Sequence, residues 1–184
     1  MANMDLTQSL CEKISPIIEP FSQHIKLKIF GYRKFFSDGT SFNTSNNSEW
    51  TKFVHEKFNN TMIPNYADEV RSALKNEKHF FLRIGEPDRQ DVHLSTLYDC
   101  DVWNTLSLYR KGGDSVDAFY FASTRSNYKI VNEYINNIDL FEKFSFYFKD
   151  KLNDIITPQD IKKASSVTIS PKIFDENGLK ATSN

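Results

Sequence analysis

The chain has 184 residues, of which 39% are hydrophobic and 14% aromatic, with 16 Phe. That is the size of one domain and too apolar for a disordered chain, so a packed core without disulfide or metal staples is expected. A formal net charge of −1, with the two signs interspersed, leaves no basic stripe for phosphates and argues against this chain gripping DNA or RNA by itself.

Cys11 and Cys100 lie far apart and match no CxxC spacing. The start, Met1-Ala2-Asn3-Met4-Asp5, has neither the basic region nor the apolar run of a signal peptide. No stretch approaches the ~20 apolar residues that span a bilayer. The expectation is a cytoplasmic protein with reduced thiols and no membrane contact.

In chain order, Leu6, Leu10, Ile14, Ile17, Ile18 and Phe21 recur at helical steps, with a kink expected near Ser15 because Pro16 follows. The alternation from Ile25 to Phe36, the Asp38-Gly39 turn and a short strand from Ser41 to Thr44 predict a hairpin. Trp50, Phe53, Val54 and Phe58 share a face of a helix that Ser48 would cap. A further helix is expected over Ala67 to Leu74 and a third strand over Lys78 to Ile84. Glu86 to Asp101 has no clear period and reads as loop with room for one helical turn. Asp101 to Tyr109 and Ser115 to Ala122 form a second hairpin across Gly112-Gly113. Helical spacing then runs to a break at Asn136-Asn137 and resumes from Ile138 to Ile156. After Pro158 the chain has room for one more helical turn, and from Ala164 it reads as a Ser- and Lys-rich linker or tail.

Five strand candidates, two hairpins and flanking amphipathic helices predict an α+β domain with an antiparallel sheet. The division expected is residues 1–160 for the domain and 161–184 for the tail.

Chemistry-bearing motifs are sparse. His24, His55, His79 and His93 never pair at i, i+3 or i, i+4, so no metal ligand set is read from them. There is no GxSxG elbow and no glycine-rich phosphate loop before a helix. Cys100 stands between Asp99 and Asp101, whose charges would raise a thiol pKa, and two solvated loop acids are the commoner meaning of that pair. The chain is therefore read as a binding domain with no cofactor, and an enzyme using Asp99 or Asp101 is the third-ranked reading.

Aromatics carry the remaining signal. Tyr32, Phe42, Trp50 and Phe53, then Trp103, Phe119 and Phe121, crowd the predicted sheet and the helix after the first hairpin. Each alone is an ordinary core residue; together they exceed what one sheet face needs and suggest a small-molecule pocket. On a regular strand Trp103, Thr105, Ser107 and Tyr109 share one face, with Asn104, Leu106 and Leu108 on the other.

Trp103 to Asp114, followed by Ala118-Phe-Tyr-Phe-Ala-Ser123, resembles the last two sheet strands of the autoinducer-binding domains of LuxR-type transcription regulators. Ile29 to Arg33, the Asp38-Gly39 turn and the helix start at Asn47 to Trp50 are similar to that family too, and the likeness runs over roughly residues 10 to 156. The chain departs from the family at its lactone clamp, for which Tyr66-Ala-Asp68 is the nearest fragment, and has Thr105 and Tyr109 where Gly and Pro are usual. The resemblance implies an α-β-α sandwich with about five antiparallel strands and a signal held between sheet and one helical layer. By position it sets Ser107 toward the signal and Trp50 and Phe53 on the helix above, with Trp103 and Tyr109 along the same wall. It also implies a homodimer, and DNA binding through a C-terminal helix-turn-helix domain absent from this chain. The expected function is thus the signal-sensing half of a quorum-sensing-type regulator, binding a small apolar molecule. The alternative is a protein-interaction module of the same fold with a filled core.

Overall fold

The computed structural model describes residues 2–58, 64–84, 92–167 and 172–175. In chain order these form α1 (Ala2–Ile25), β1 (Ile29–Phe36), β2 (Thr40–Ser45), α2 (Ser48–Phe58), α3 (Pro64–Asn76), β3 (Lys78–Arg83) and α4 (Val92–Asp99). There follow β4 (Trp103–Lys111), β5 (Ser115–Ser123), α5 (Ile130–Asn136), α6 (Ile138–Ile155), α7 (Pro158–Lys163), β6 (Ser166–Val167) and α8 (Lys172–Asp175). The sheet runs β3-β4-β5-β1-β2-β6, and every pairing in it is antiparallel. Five strands make its body, and the two-residue β6 adds an edge beside β2. This is an α+β fold.

Both hairpins form where turn chemistry predicts them. Gly39 sits at φ 84°, a conformation with no Cβ penalty only for glycine, and Asp38 accepts from the Thr40 backbone N–H at 3.0 Å. Pairing is then set by alternation: on β1, Phe30 and Tyr32 face one way, Gly31 and Arg33 the other.

The first face is filled with large side chains. Phe30, Tyr32, Phe42, Leu106, Leu108, Phe119 and Phe121 meet Leu10, Ile14 and Ile18 of α1, Tyr134 of α5 and Phe141, Phe144, Phe148 and Leu152 of α6 in one buried cluster. Ring centroids approach to 4.7 Å for Phe30–Phe148 and 5.0 Å for Phe121–Phe141. Each such ring contributes about 1.5–3 kcal/mol by leaving water, which makes this face the main source of stability. Tyr32 also donates to Asp117 at 2.7 Å, and Lys149 of α6 pairs with the same carboxylate. Burial first, then that neighbouring charge, pushes the Tyr32 phenol well above its ordinary pKa.

Four local expectations are revised. The helix α1 runs through Pro16 and Pro20 without interruption, and Ser15 donates its hydroxyl to the Cys11 carbonyl at 2.7 Å. The cap of α2 is Asn47 rather than Ser48, its Oδ1 accepting from the Trp50 N–H at 2.8 Å. Part of the stretch read as loop, Val92 to Asp99, is a helix. The stretch read as linker is docked where it is described: β6 pairs with β2, and Ile173 and Phe174 are buried against α3 and the sheet.

Among the described residues no helix is long and apolar enough to cross a membrane. Helix α6 turns Leu140, Phe146 and Tyr147 outward, although its Phe141, Phe144 and Phe148 are buried.

Candidate functional site

The second face of the same sheet mixes small residues with large ones. One rung crosses all five main strands as Phe81–Ser107–Tyr120–Gly31–Ser45. On one side of it Arg83 pairs with Thr105 and Ala122 with Ile29; on the other, Tyr109, Ala118, Arg33 and Asn43 follow in register. Alternation puts all of these on the face opposite Phe30, Phe119 and Phe121. At its centre Gly31, Ser45 and Ser107 stop short of the helices above, so a space stays open there.

The roof comes from three helices and one connection: Trp50, Thr51 and Val54 of α2, Glu69 of α3, Leu97 of α4, and Val102 just before β4. Between roof and floor lies a cavity of about 100 Å³. A water molecule needs roughly 10–15 Å³ measured that way, and a dry cavity of about 150 Å³ accepts benzene, so this one has room for several waters or an organic molecule smaller than benzene.

Most of the lining is apolar, with a few polar groups set into it. Arg33 is 2% exposed and Glu69 6% exposed. Tyr109 donates its phenolic hydrogen to Glu69, Tyr109 and Tyr120 hydroxyls lie 3.0 Å apart, and Arg83 Nη2 donates to the other Glu69 oxygen at 3.4 Å. Burial raises the Glu69 pKa, while the Tyr109 hydrogen bond and the Arg83 charge pull against that rise. Thr105, 7% exposed, keeps its Oγ1 without a hydrogen-bond partner among the described residues.

Compared with known proteins, the chain matches no family model and no curated protein.

Of the residues expected at the site, Trp50 and Ser107 line the cavity. Tyr32 borders it, but its ring packs against Phe119 and Phe148 on the opposite face. Phe42, Phe119 and Phe121 belong to the filled core on that opposite face, which corrects their assignment to the pocket. Phe53 stacks on Trp50 at 5.4 Å and stands outside the lining. Tyr109 lies on the cavity face in the rung of Arg33 and Asn43 but outside the lining, and it is joined to the lining by its bonds to Glu69 and Tyr120. Trp103 leaves the wall altogether. Between Trp103 and Leu106 the chain inserts one extra residue against β5, with Asn104 at φ 47°, and Trp103 packs edge-on against Tyr98.

The lining that aromatic content did not reveal includes Gly31, Arg33, Glu69, Arg83 and Thr105. A signal for part of it exists in the alternation of small with large residues, as in Ala118-Phe-Tyr-Phe-Ala122, whose small positions mark the open face.

Proposed function

We propose that this chain is the signal-sensing, dimer-forming domain of a cytoplasmic LuxR-like transcription regulator, and that it takes a small molecule between its sheet and the α2–α4 layer. The observation that carries the reading is the cavity itself, floored by Gly31, Ser107 and Tyr120 beneath Trp50. One face of the sheet is sealed by aromatics, and on the other the space beside Gly31 and Ser107 stays open under the helices, which leaves it available for a ligand. The resemblance of β4 and β5 to the family's strands supports the same assignment. With a net charge of −1, contact with DNA falls to a separate domain of the regulator.

Dimerisation is assigned to the outward side of α6, where Leu140 and Tyr147 lie seven residues apart on one stripe. Native mass spectrometry of the purified protein tests both parts together. A dimer carrying an extra small-molecule mass is the expected result. A bare chain in every preparation, with no small molecule able to stabilise it, would replace this reading by a protein-interaction module.

A further inference from the structure

The ionic groups of α6 fall into two sets. Glu142 pairs with Lys78 and Arg110, Lys149 with Asp117, and Lys151 with Asp154, all within the chain. Lys143 and Asp150 are exposed and have no ion-pair partner among the described residues. They stand seven residues apart, so two helical turns, about 10.5 Å, separate them along one line of the helix. The exposed rings of Phe146 and Tyr147 lie midway between them, and Leu140 extends the apolar part toward the start of the helix.

This stripe is complementary to its own reverse. Two α6 helices laid antiparallel about an axis between Phe146 and Tyr147 set Lys143 of each copy opposite Asp150 of the other. The same axis brings Phe146 of each copy against Tyr147 of the other. Leu140 then meets Asn153, and Asp139 meets Asp154, whose charge Lys151 already offsets at 3.4 Å. Laid parallel, the helices would put Lys143 on Lys143 and Asp150 on Asp150, which repel. An antiparallel alignment of Leu140 with Tyr147 places the two Lys143 side chains together at the axis, with the same fault. Opposed helix dipoles add to the preference for the antiparallel arrangement.

We infer that the partner of α6 is a second copy of this chain, packed antiparallel with Lys143 of each copy paired with Asp150 of the other. This rests on the dimer proposed above and adds its orientation and register. Exposed ion pairs contribute little affinity, so the rings at the axis supply the attraction and the two charge pairs select the alignment.

The test is sedimentation equilibrium of the whole chain, at low and at high salt, on the wild type, Lys143→Glu, Asp150→Lys and the double reversal. Each single reversal replaces both attractive pairs by like charges and should raise the dimer dissociation constant about fivefold or more at low salt, and less at high salt. The double reversal restores unlike charges at both contacts and should return the constant to within about twofold of the wild type. An equimolar mixture of the two single variants should likewise recover dimer, since each supplies the charge the other lacks. Both positions are exposed, so every variant should melt as the wild type does. A wild-type dimer that ignores the single reversals, or one that they weaken and the double reversal does not restore, overturns the register and leaves the dimer standing. A wild-type monomer at tens of micromolar overturns both.

Discussion

Tyr109 of β4 donates its phenolic hydrogen to Glu69 of α3, tying the floor of the cavity to its roof. Desolvation is the largest influence on that carboxyl and raises its pKa above the ordinary 4.5, with Tyr109 and Arg83 opposing. A carboxyl with a raised folded-state pKa binds more protons folded than unfolded, so its contribution to stability is complete below the unfolded value and is lost as pH rises through the folded one. Glu69→Gln removes the titration. The stability of the wild type relative to Glu69→Gln should therefore be greatest below about pH 4.5 and decline toward neutrality. Denaturant unfolding of both proteins across that range checks it; the opposite trend would mean Arg83 and Tyr109 outweigh burial.

Ser107 sits at the centre of the floor, where a hydroxyl can meet a ligand without supporting the core. Ser107→Ala should cost about 0.5–1.5 kcal/mol of affinity, while the fold is left nearly unchanged. Calorimetry with the molecule that co-purifies, beside a thermal melt of each protein, separates the two effects. Trp50→Ala cannot make that separation, because truncating a large packed ring costs about 3–5 kcal/mol of stability in its own right.

Gly31 permits a sharper test of the space. Its backbone carries no positive φ, and a Cβ there would stand 3.6 Å from Tyr120 Cδ2, an ordinary contact. Gly31→Ala should accordingly stabilise the protein by about 0.4–1 kcal/mol through the unfolded chain's lost freedom. The same methyl projects into the cavity, so ligand affinity should fall. Opposite signs for stability and binding are the expected signature, and a loss of both would show that the strand itself is disturbed.

Much of the fold is legible in the residues, and the site much less so. Turn chemistry at Asp38-Gly39 and Gly112-Gly113 and the 3.6-residue spacing of Phe141, Phe144 and Phe148 are local signals, and both hairpins and α6 form where those signals stand. The pocket depends on which face of each strand stays unfilled, a property of several strands in register that no single segment displays. Large aromatics draw the eye, yet Phe119 and Phe121 fill space and Gly31 and Ser107 leave it. Strict alternation also fails at Asn104, where the inserted residue turns Trp103 away from the wall that Ser107 helps to form. Asn tolerates such a backbone, and its Nδ2 donates to the carbonyls of Thr124, Arg125 and Asn127, holding the loop after β5.

The outward stripe of α6 gives the proposed dimer a direct test. Leu140 and Tyr147 are 38% and 49% exposed, so charging them costs the monomer little. Sedimentation of the wild type should report a dimer at tens of micromolar, and the double substitution Leu140→Glu with Tyr147→Glu should report a monomer with an unchanged circular dichroism spectrum. A wild-type monomer at that concentration would remove α6 as the contact.

The docked C-terminal segment links the periphery to the site. Phe174 is wholly buried in a cluster with Phe35, Val116 and the Val70, Ala73 and Leu74 face of α3. That helix carries Glu69 of the cavity lining, so α8, packed beside α3 on the same face of the sheet, braces the roof. Lys162 holds the preceding turn to the first hairpin, with its Nζ 2.5 Å from Asp38 and 4.1 Å from the centre of the Phe36 ring. Removing a buried Phe leaves a cavity that the surroundings close only in part, at about 3–5 kcal/mol. Phe174→Ala should show a loss of that order in denaturant unfolding, accompanied by weaker ligand binding as α3 loses its support. A mobile linker predicts neither effect: there Phe174→Ala would leave stability unchanged within about 0.5 kcal/mol, as surface substitutions do. Limited proteolysis gives an independent reading, since a docked segment delays cleavage near Ala164 in the wild type and Phe174→Ala should hasten it.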